Sequence, residues 1–331
     1  MKVLVTGCNG HLGAAACADL DEHGFDVRGV DVQPPNNDKL ADFHLLDLTA
    51  GQKASDTLAS LLVGVDSVLH LAAIPVPRLG TPAAIFDLNC AATFRLFQAC
   101  ADHGIDQIVV ASSINAIGYH FGRLGFEIDY LPVDEEHPKT TSDPYSFSKQ
   151  VTEDIATYFA RTANINSLCL RFGAGLQSLS MLREGLVPKL LRAREQMDRL
   201  AQMSATAAAD QIRRLRHHHD DDRQHPDKES QLTADERSLM GLRHNFFSFI
   251  ELAEACRAIR LALMHKIVGS QPMFVVDSRN TLNMPAQVLA QLMYPEVVVR
   301  AEFSENQSLV DWQRARSIGF ESQVAAAELI D

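Results

Sequence analysis

The chain has 331 residues, of which 46% are hydrophobic and 22% are charged, proportions that are ordinary for a globular protein with a sizeable core. Its formal net charge of −12 argues against general binding to nucleic acids or to anionic membranes, and no stretch reaches the roughly 18 apolar residues that a membrane span needs. None of the six cysteines has CxxC spacing and no basic segment followed by an apolar one opens the chain, so we expect buried thiols in a cytoplasmic protein without a secretory signal.

A glycine-rich segment follows the first predicted strand. Residues 2–5 are mostly apolar, and Gly7, Gly10 and Gly13 come next at three-residue spacing. After a strand, such glycines permit a sharp turn, a close approach of the backbone to a pyrophosphate and close packing of the next helix, whose N-terminal N–H groups attract an anion. The segment predicts a dinucleotide site, with a glycine turn that holds no ligand as the structural alternative.

A second predicted strand, residues 27–30, ends next to Asp31. An acidic residue about 20 positions beyond the glycines is placed to accept hydrogen bonds from the adenosine ribose hydroxyls. Its negative charge would also repel a 2′-phosphate. The sequence therefore predicts NAD rather than NADP.

Apolar stretches typical of strands alternate along the chain with segments of helical periodicity. Strands are predicted at residues 3–5, 27–30, 67–71, 107–111, 167–170 and 273–276, and helices at, for example, 83–103 and 145–162. This alternation indicates right-handed βαβ units, and hence an α/β fold with a doubly wound parallel sheet of the Rossmann type. The ligand of such a sheet lies at the carboxyl ends of the strands.

The predicted strand at residues 107–111 runs directly into Ser112 and Ser113. At the carboxyl end of a central strand, a hydroxyl is placed to hydrogen-bond the carbonyl or alcohol oxygen of a substrate. Capping of the following turn is the structural alternative for both serines.

A predicted helix start precedes the next candidate pair. Ser142 and Asp143 are capping candidates and Pro144 is typical of the first helical position, so Tyr145 and Lys149 fall four residues apart on one helix face. A free phenol titrates at roughly 10, and a neighbouring ammonium together with a positive nicotinamide ring lowers that pKa toward the range of a useful proton acceptor. Taken alone, the same pair is frequent as a contact on helix surfaces.

Residues 190–243 differ from the rest in composition. An Arg-rich amphipathic pattern passes into LRHHHDDDRQHPDKES before helical character returns near Thr233, which predicts a helix, a solvated and mobile loop, and a second helix. Neighbouring residues do not converge on one ion without an unusual backbone, so we predict a charged loop and no metal site. The metal-ligating residue types concerned are His217, His218, His219, His225, Asp220, Asp221 and Asp222. The apolar segment 245–263 is predicted as a helix that returns to the core.

In this order, the glycine segment, Asp31, the serine pair and the Tyr145/Lys149 pair resemble the short-chain dehydrogenase/reductase superfamily, in its extended NAD-dependent epimerase/dehydratase branch. The resemblance implies an NAD-binding Rossmann domain over residues 1–172. It implies a smaller substrate-binding region over residues 173–331, which carries the insertion and returns to the core sheet after 245. It also implies a homodimer formed through the helices that contain Asn89 and Tyr145.

The resemblance implies individual roles as well. Ser113 would polarise the reacting oxygen, Tyr145 would be the acid/base, and Lys149 would bind the nicotinamide ribose and lower the pKa of the tyrosine. Asn89 would complete the catalytic set. Structural alternatives stay open, namely a cap for Asp47, a satisfied core histidine for His70 and a bridge between backbone groups for Asn89. The residues implied to contact NAD are Gly7, Asn9, Gly10, His11, Leu12, Gly13, Asp31, Asp47, Leu48, Leu71, Ala72, Ala73, Asn89, Ser112, Tyr145, Lys149 and Phe172.

Two departures from the family pattern narrow the range of reactions that the sequence predicts. Ile114 and Asn115 follow Ser113 where sugar-nucleotide dehydratases carry Asp-Glu, and dehydration is disfavoured because Ile114 cannot transfer a proton. Residues 171–174 read RFGA, without the asparagine that meets the diphosphate-sugar in nucleotide-sugar epimerases. Segments 70–77 and 112–118 instead look like those of uronate or simple sugar dehydrogenases.

We therefore predict an NAD-dependent oxidoreductase that transfers a hydride between the nicotinamide and a hydroxyl or carbonyl carbon of a small, sugar-like substrate, with Tyr145 as acid/base. One alternative is a nucleotide-sugar epimerase that keeps NAD bound. A second is a non-catalytic NAD-sensing protein whose insertion contacts a partner, and the intact set of Ser113, Tyr145 and Lys149 argues against it. The identity of the substrate lies beyond the sequence.

Overall fold

The computed structural model describes residues 1–34 and 40–330. The strands, in chain order, are β1 (Lys2–Thr6), β2 (Asp26–Asp31), β3 (Asp42–Leu45), β4 (Ser67–His70), β5 (Gln107–Ala111), β6 (Tyr130–Leu131), β7 (Asn166–Phe172), β8 (Ala174–Gly175), β9 (Phe249–Ile250), β10 (Ser270–Val275) and β11 (Val298–Val299). Seven of them form one sheet in the order β10–β7–β5–β4–β1–β2–β3, and every neighbouring pair in it is parallel. The predicted α/β fold with a parallel sheet is confirmed.

Helices cover both faces of this sheet. They are α1 (His11–Glu22), α2 (Gln52–Leu61), α3 (Pro82–Phe86), α4 (Thr93–Asp102), α5 (Pro144–Ala163), α6 (Leu179–Gly185), α7 (Val187–Ala201), α8 (Ala205–Gln224), α9 (Ala234–His244), α10 (Leu252–Met264), α11 (Ala286–Met293) and α12 (Gln313–Arg316). Apolar stripes of α1 and α10 pack on one face, and those of α2, α4 and α5 pack on the other. None of the described helices has the length and apolar character to traverse a bilayer.

Two details of the sheet domain differ from the sequence prediction. Edge strand β3 has no predicted counterpart, because its four residues, DFHL, include Asp42 and His44 and offer no apolar run. Backbone pairing with β2 forms it nevertheless. The helix predicted over residues 83–103 is interrupted by a π-helical turn, Asp87–Ala92, which joins α3 to α4.

The insertion is more ordered than its composition predicted. Residues 205–224 form helix α8, so the solvated loop predicted across LRHHHDDDRQ is wrong for this stretch. Ser204 caps the helix by accepting from the backbone N–H of Ala207 at 3.3 Å. Ile212 and Leu215 bury the apolar side of α8 in a core shared with α7, α9 and α11. Burial of this stripe in the shared core outweighs the polar composition of the rest of the helix.

The helix predicted over residues 245–263 begins only at Leu252. Before it, Phe246 and Phe247 have positive φ angles of 56° and 50° and are fully buried in the core of the insertion helices. Glu251 then caps α10 by accepting from the backbone N–H of Ala253 at 2.6 Å. Burial of the two aromatic rings therefore imposes a turn on a segment whose composition alone favours a helix.

A buried ion cluster joins α5 to the sheet beneath it. Glu153 on α5 accepts from Arg171 on β7 at 2.8 and 2.9 Å and pairs with Lys139 at 2.8 Å. The same carboxylate accepts from the hydroxyl of Ser112, after β5, at 2.7 Å. Burial by itself raises the pKa of Glu153, but Arg171 and Lys139 outweigh it and lower the pKa to about 2. The cluster fixes α5 relative to the carboxyl ends of β5 and β7.

We expect Arg171→Met to lower the free energy of unfolding by about 3 kcal/mol, because it leaves the carboxylate of Glu153 buried without its bidentate partner. Urea unfolding at neutral pH measures this loss. Arg161→Met, at an exposed position near the end of α5, is the matched control.

The loss should depend on pH. The contribution of Glu153 is fully present above the ordinary glutamate pKa of 4.5 and is lost as the pH falls through about 2, where the folded protein also binds the proton. The difference between wild type and Arg171→Met should therefore shrink as the pH falls across this range. A difference that stays constant would show that the pair does not act through charge.

Candidate active site

The glycine loop lies at the carboxyl end of β1, against the end of β4. Gly7 has φ +74°, and a Cβ there would lie 2.6 Å from the backbone nitrogen of Ala72, while a Cβ on Gly13 would overlap the carbonyl of Gly7. The fold itself therefore requires these two glycines. At Gly10 a Cβ would meet only the carbonyl oxygen of Gly7, at 3.2 Å, and the bare backbone of Gly10 lines a cleft. Such a backbone at the start of α1 fits a pyrophosphate.

One arm of this cleft, with a volume of about 600 Å³, is bordered by Asp31 and Asp47 and is called here the ribose arm. The Asp31 carboxylate accepts from the backbone N–H groups of Asn9 at 2.9 Å and Gln33 at 3.0 Å, which fix it at the end of β2. Asp47 accepts from the backbone N–H and the hydroxyl of Thr49 at 2.8 and 2.6 Å, so it caps a turn. A carboxylate fixed at the end of β2 fits ribose hydroxyls.

The other arm, of about 640 Å³, brings Ser113, Tyr145 and Lys149 together and is called the tyrosine arm. Helix α5 begins where predicted, because the Asp143 carboxylate accepts from the backbone N–H of Tyr145 at 3.0 Å. One turn later, the Lys149 ammonium donates to the carbonyl of Ala111 at 2.7 Å and lies 5.8 Å from the centre of the Tyr145 ring. The helix start thus places the phenol and the ammonium at the carboxyl end of β5.

The protonation of this pair is set mainly by burial. Burial raises the pKa of Tyr145 to about 12, and a hydrogen bond with Ser113 opposes the rise. Burial also lowers the pKa of Lys149 to about 8. The lowered phenol pKa that we expected from Lys149 is not produced by the protein groups alone. A phenol in this site is a proton donor at neutral pH unless further positive charge is added.

Asn89 and His70 match their structural alternatives. The Asn89 side chain accepts from the backbone N–H of Ile74 at 2.8 Å and donates to the Ser148 hydroxyl at 2.9 Å. His70 lies 2.6 Å from the Thr6 hydroxyl and 2.8 Å from that of Thr93, and burial lowers its pKa to about 3. His70 links the ends of β1 and β4, and Asn89 links the segment after β4 to α5. The direct catalytic part implied for Asn89 stays a prediction.

The other residues predicted to contact the cofactor all line the cleft. Those on the ribose arm are Gly7, Asn9, Gly10, Asp31, Asp47, Leu48, Leu71, Ala72 and Ala73. Those on the tyrosine arm are Gly7, Gly10, His11, Leu12, Gly13, Leu71, Ala73, Ser112, Tyr145, Lys149 and Phe172. Because the two arms share residues of the glycine loop and of the segment after β4, they form one continuous cleft.

Part of the tyrosine arm was not predicted from the sequence. We call this part the amide wall, and it consists of Asn115, His120, Phe121, Gln177, Met181 and Asn245. His120 and Phe121 follow the predicted serine segment closely in the sequence. Their positions depend on the left-handed turn at Gly118, with φ +93°. Asn245 comes from the far end of α9, and no local pattern marks it.

The histidines of the insertion form a cluster near this wall. His219 and Asp220 on α8 and His244 on α9 place their ligand atoms within 4.8 Å of one another. The two imidazoles stack at 4.8 Å with 25° between their planes, so their in-plane lone pairs do not meet at one point. Arg223 lies 3.7 Å from Asp220, and burial, Arg223 and Arg243 lower the pKa of His219 to about 4. These cationic surroundings disfavour a divalent ion at the cluster.

The sequence matches the NAD dependent epimerase/dehydratase family over residues 3–193. The match covers more than half of the chain, and the chain belongs to this family.

Curated relatives include an uncharacterized UDP-glucose epimerase, YtcB, of Bacillus subtilis, which is 30% identical over 187 residues, or 52% of this chain and 56% of the relative. A uronate dehydrogenase of Pseudomonas syringae pv. tomato is 25% identical over 175 residues, or 52% of this chain and 59% of the relative. The chain thus spans about half the length of the curated relatives that it matches.

Solved structures resemble the whole chain in fold. A UDP-glucose 4-epimerase of Thermus thermophilus in complex with NAD gives a TM-score of 0.61 at 18% identity, covering 100% of this chain and 96% of that one. MoeE5 in complex with UDP-glucuronic acid and NAD gives 0.60 at 20% identity, with 100% and 96% covered. At these identities the similarity shows the fold.

We expect Gly10→Ala to weaken NAD binding by at least about ten-fold with only a small loss of stability, since the added Cβ would lie 3.2 Å from the carbonyl oxygen of Gly7. The backbone of Gly10, with φ −64° and ψ 165°, suits alanine, but the added methyl enters the space that a pyrophosphate would occupy. Calorimetric titration with NAD measures the affinity, and thermal unfolding checks the fold. Gly185→Ala is the control, because a Cβ there meets nothing within 4 Å. An unchanged affinity in a stable Gly10→Ala protein would place the pyrophosphate elsewhere.

Proposed function

We propose that the protein is an NAD-dependent oxidoreductase that transfers a hydride between the nicotinamide and a hydroxyl or carbonyl carbon of a sugar-like small molecule. The observation that carries this proposal is the continuous cleft lined by the glycine loop, Asp31 and the set of Ser113, Tyr145 and Lys149. Family membership supports NAD as the cofactor. Relatives named uronate dehydrogenase and UDP-glucose epimerase support sugar chemistry.

The chain's own residues suit NAD. The glycine loop and the start of α1 would hold the pyrophosphate, and Asp31 would accept from the ribose hydroxyls. Bound NAD supplies a hydride acceptor and, when oxidised, a positive charge. Positive charge in the tyrosine arm opposes the rise that burial causes in the pKa of Tyr145 and favours the phenolate.

Tyr145 then transfers the proton. In the oxidation direction, the phenolate of Tyr145 takes the proton of the substrate hydroxyl, a carbon–hydrogen bond breaks with its electron pair leaving as hydride, and a carbonyl forms. Ser113 supports the reacting oxygen, because its Oγ accepts from the backbone N–H of Asn115 at 3.1 Å and its hydroxyl, which also hydrogen-bonds the phenol of Tyr145, lies beside the group that exchanges the proton. Lys149, with a pKa of about 8, adds positive charge to the site at neutral pH.

We assign NAD binding to residues 1–172 and substrate binding to residues 173–331. Gln177, Met181 and Asn245 from the second part line the tyrosine arm, which supports this division. We also assign the protein to the cytoplasm, since all six of its cysteines are free and buried.

The relatives named UDP-glucose epimerase favour a second candidate, a nucleotide-sugar epimerase that retains NAD. Such an enzyme releases no net NADH and interconverts UDP-sugars, whereas a dehydrogenase accumulates NADH. A protein that only senses NAD binds it without turnover of either kind. NADH formation from a panel of aldoses, uronates and UDP-sugars, followed by analysis of the recovered sugars, separates the three.

Tyr145→Phe should lower kcat by roughly 10²–10⁴-fold with little change in NAD affinity, because it removes the group that moves the proton but keeps the ring. Absorbance of NADH measures the rate with the best substrate of the panel. Tyr158→Phe is the matched control, since that phenol lies on the same helix and is 50% exposed. Unchanged turnover in Tyr145→Phe would remove Tyr145 from the reaction.

We further propose a homodimer formed through the helices near Asn89 and Tyr145. Aromatic side chains lie exposed on α3, α4 and α5, and two pairs of them pack together, Phe86 with Phe147 at 6.3 Å and Phe94 with Tyr158 at 5.9 Å between ring centres. These four side chains are between 42% and 50% exposed. Exposed aromatic pairs on neighbouring helices suit a subunit contact.

Phe94→Glu should therefore convert a dimer into a monomer in sedimentation velocity, because the charge would be buried in the contact. Leu191→Glu is the control, since Leu191 is 45% exposed on α7, away from these helices. A wild-type protein that sediments as a monomer would contradict the proposal, as would a Phe94→Glu protein that stays dimeric.

A further inference from the structure

The amide wall presents uncharged groups to the cleft. Asn115, Gln177 and Asn245 contribute amides, and Phe121 and Met181 contribute apolar surface. The Phe121 ring meets the Tyr145 ring edge-on, with 5.7 Å between centres and 84° between planes, so apolar surface lies directly beside the phenol. Amides next to apolar surface suit a ligand that has hydroxyl groups as well as carbon–hydrogen faces.

His120 adds a neutral imidazole to this wall. Burial, Arg223 and His219 lower its pKa to about 4, so the ring is uncharged at neutral pH. Its Nδ1 lies 3.2 Å from the amide nitrogen of Asn245, which also donates to the carbonyl of Gly241 at 3.1 Å. An amide nitrogen only donates, so Nδ1 of His120 accepts and the ring proton sits on Nε2. The imidazole therefore brings an N–H group and no charge.

Cations near the wall are held by other partners. Arg223 donates to the carbonyls of Tyr119 and Gly122. Lys149 donates to the carbonyl of Ala111 at 2.7 Å. Among the described residues that line the tyrosine arm, no arginine occurs and Lys149 is the one lysine.

From this arrangement we infer that the tyrosine arm takes an uncharged polyhydroxylated substrate, such as a neutral sugar, and discriminates against uronates, sugar phosphates and nucleotide sugars. The inference rests on the proposed function. Hydroxyl groups exchange their bonds to water for bonds to amides and an imidazole, whereas a carboxylate or a diphosphate loses its hydration against a wall that offers no cation. The amide wall thus selects a ligand of different charge from those in the names of several relatives.

Matched ligands that share one sugar ring test the inference. Calorimetry measures their binding to the NAD-loaded Tyr145→Phe variant, which keeps the wall and does not turn the ligand over. The ligands are an aldose, its uronate, its 6-phosphate and its UDP-linked form, in the gluco, galacto and manno series. In the series that binds best, the aldose should bind at least about ten-fold tighter than each anionic form. Tighter binding of an anionic form, or no binding of any aldose, overturns the inference.

The second measurement uses a variant that carries a positive charge on the amide wall. Gln177→Arg should improve the affinity for the uronate relative to the aldose by about ten-fold or more, because it supplies the missing guanidinium. Gln177→Met, of similar length without charge, should leave the ratio as it is. A ratio that does not change in Gln177→Arg shows that the wall does not select by charge and overturns the inference.

Turnover by the wild type distinguishes this inference from the proposed function. NADH formation that favours a uronate or a UDP-sugar over the aldose keeps the oxidoreductase and overturns the uncharged substrate class. A lack of NADH with every ligand, together with tighter binding of the aldose, refutes the oxidoreductase and supports the uncharged ligand.

Discussion

The carboxylate of Glu153 is the group on which the arrangement of this site depends most. It joins α5 to β7 through Arg171 and to the end of β5 through Ser112, and all three side chains are buried. Tyr145 and Lys149 lie on the same helix as Glu153. The contacts of Glu153 with Arg171 and Ser112 therefore fix the distance of both side chains from the serine pair. A buried carboxylate is stable only while its partners remain in place, and this requirement makes the geometry of the site specific.

A second constraint is the close approach of chain segments at the junction of β1 and β4. The sheet order reverses there, since β2 and β3 extend from one side of β1 while β4 and β5 extend from the other. Gly7 and Gly13 allow the loop after β1 to pack against Ala72 and against itself. Packing therefore requires two of the three glycines of the dinucleotide motif. Gly10 is the glycine that most directly indicates a bound ligand.

The sequence predicted those elements of the fold whose residue pattern matches their burial or capping in the structure. The apolar strands that end at the glycine loop, at Asp31 and at the serine pair are buried in the sheet, and Asp143 caps the helix that it was predicted to cap. Helix α8 was missed because its buried stripe is narrow and its other positions are charged. The turn at Phe246 and Phe247 was missed because these apolar residues directly precede the helical pattern of residues 252–263 and no glycine or proline separates them from it. The raised pKa of Tyr145 was missed because spacing reveals the neighbouring ammonium but not the extent of burial.

The candidate site likewise has one part that the sequence predicts and one part that it does not. Its cofactor side follows from motifs next to strand ends, and it falls almost wholly within the family match at residues 3–193. The amide wall combines Asn115, His120 and Phe121 from one connection with Gln177 and Met181 from another and Asn245 from the end of the insertion. The insertion helices pack in one core with Ile114, Tyr119 and Phe274, and Asn245 at the end of α9 contacts His120. Changes in the insertion can therefore alter the wall directly at Asn245 and His120. In the proposed oxidoreductase, a wall without cations beside the set of Ser113, Tyr145 and Lys149 would let this fold act on sugars of a different charge from those in the names of its relatives.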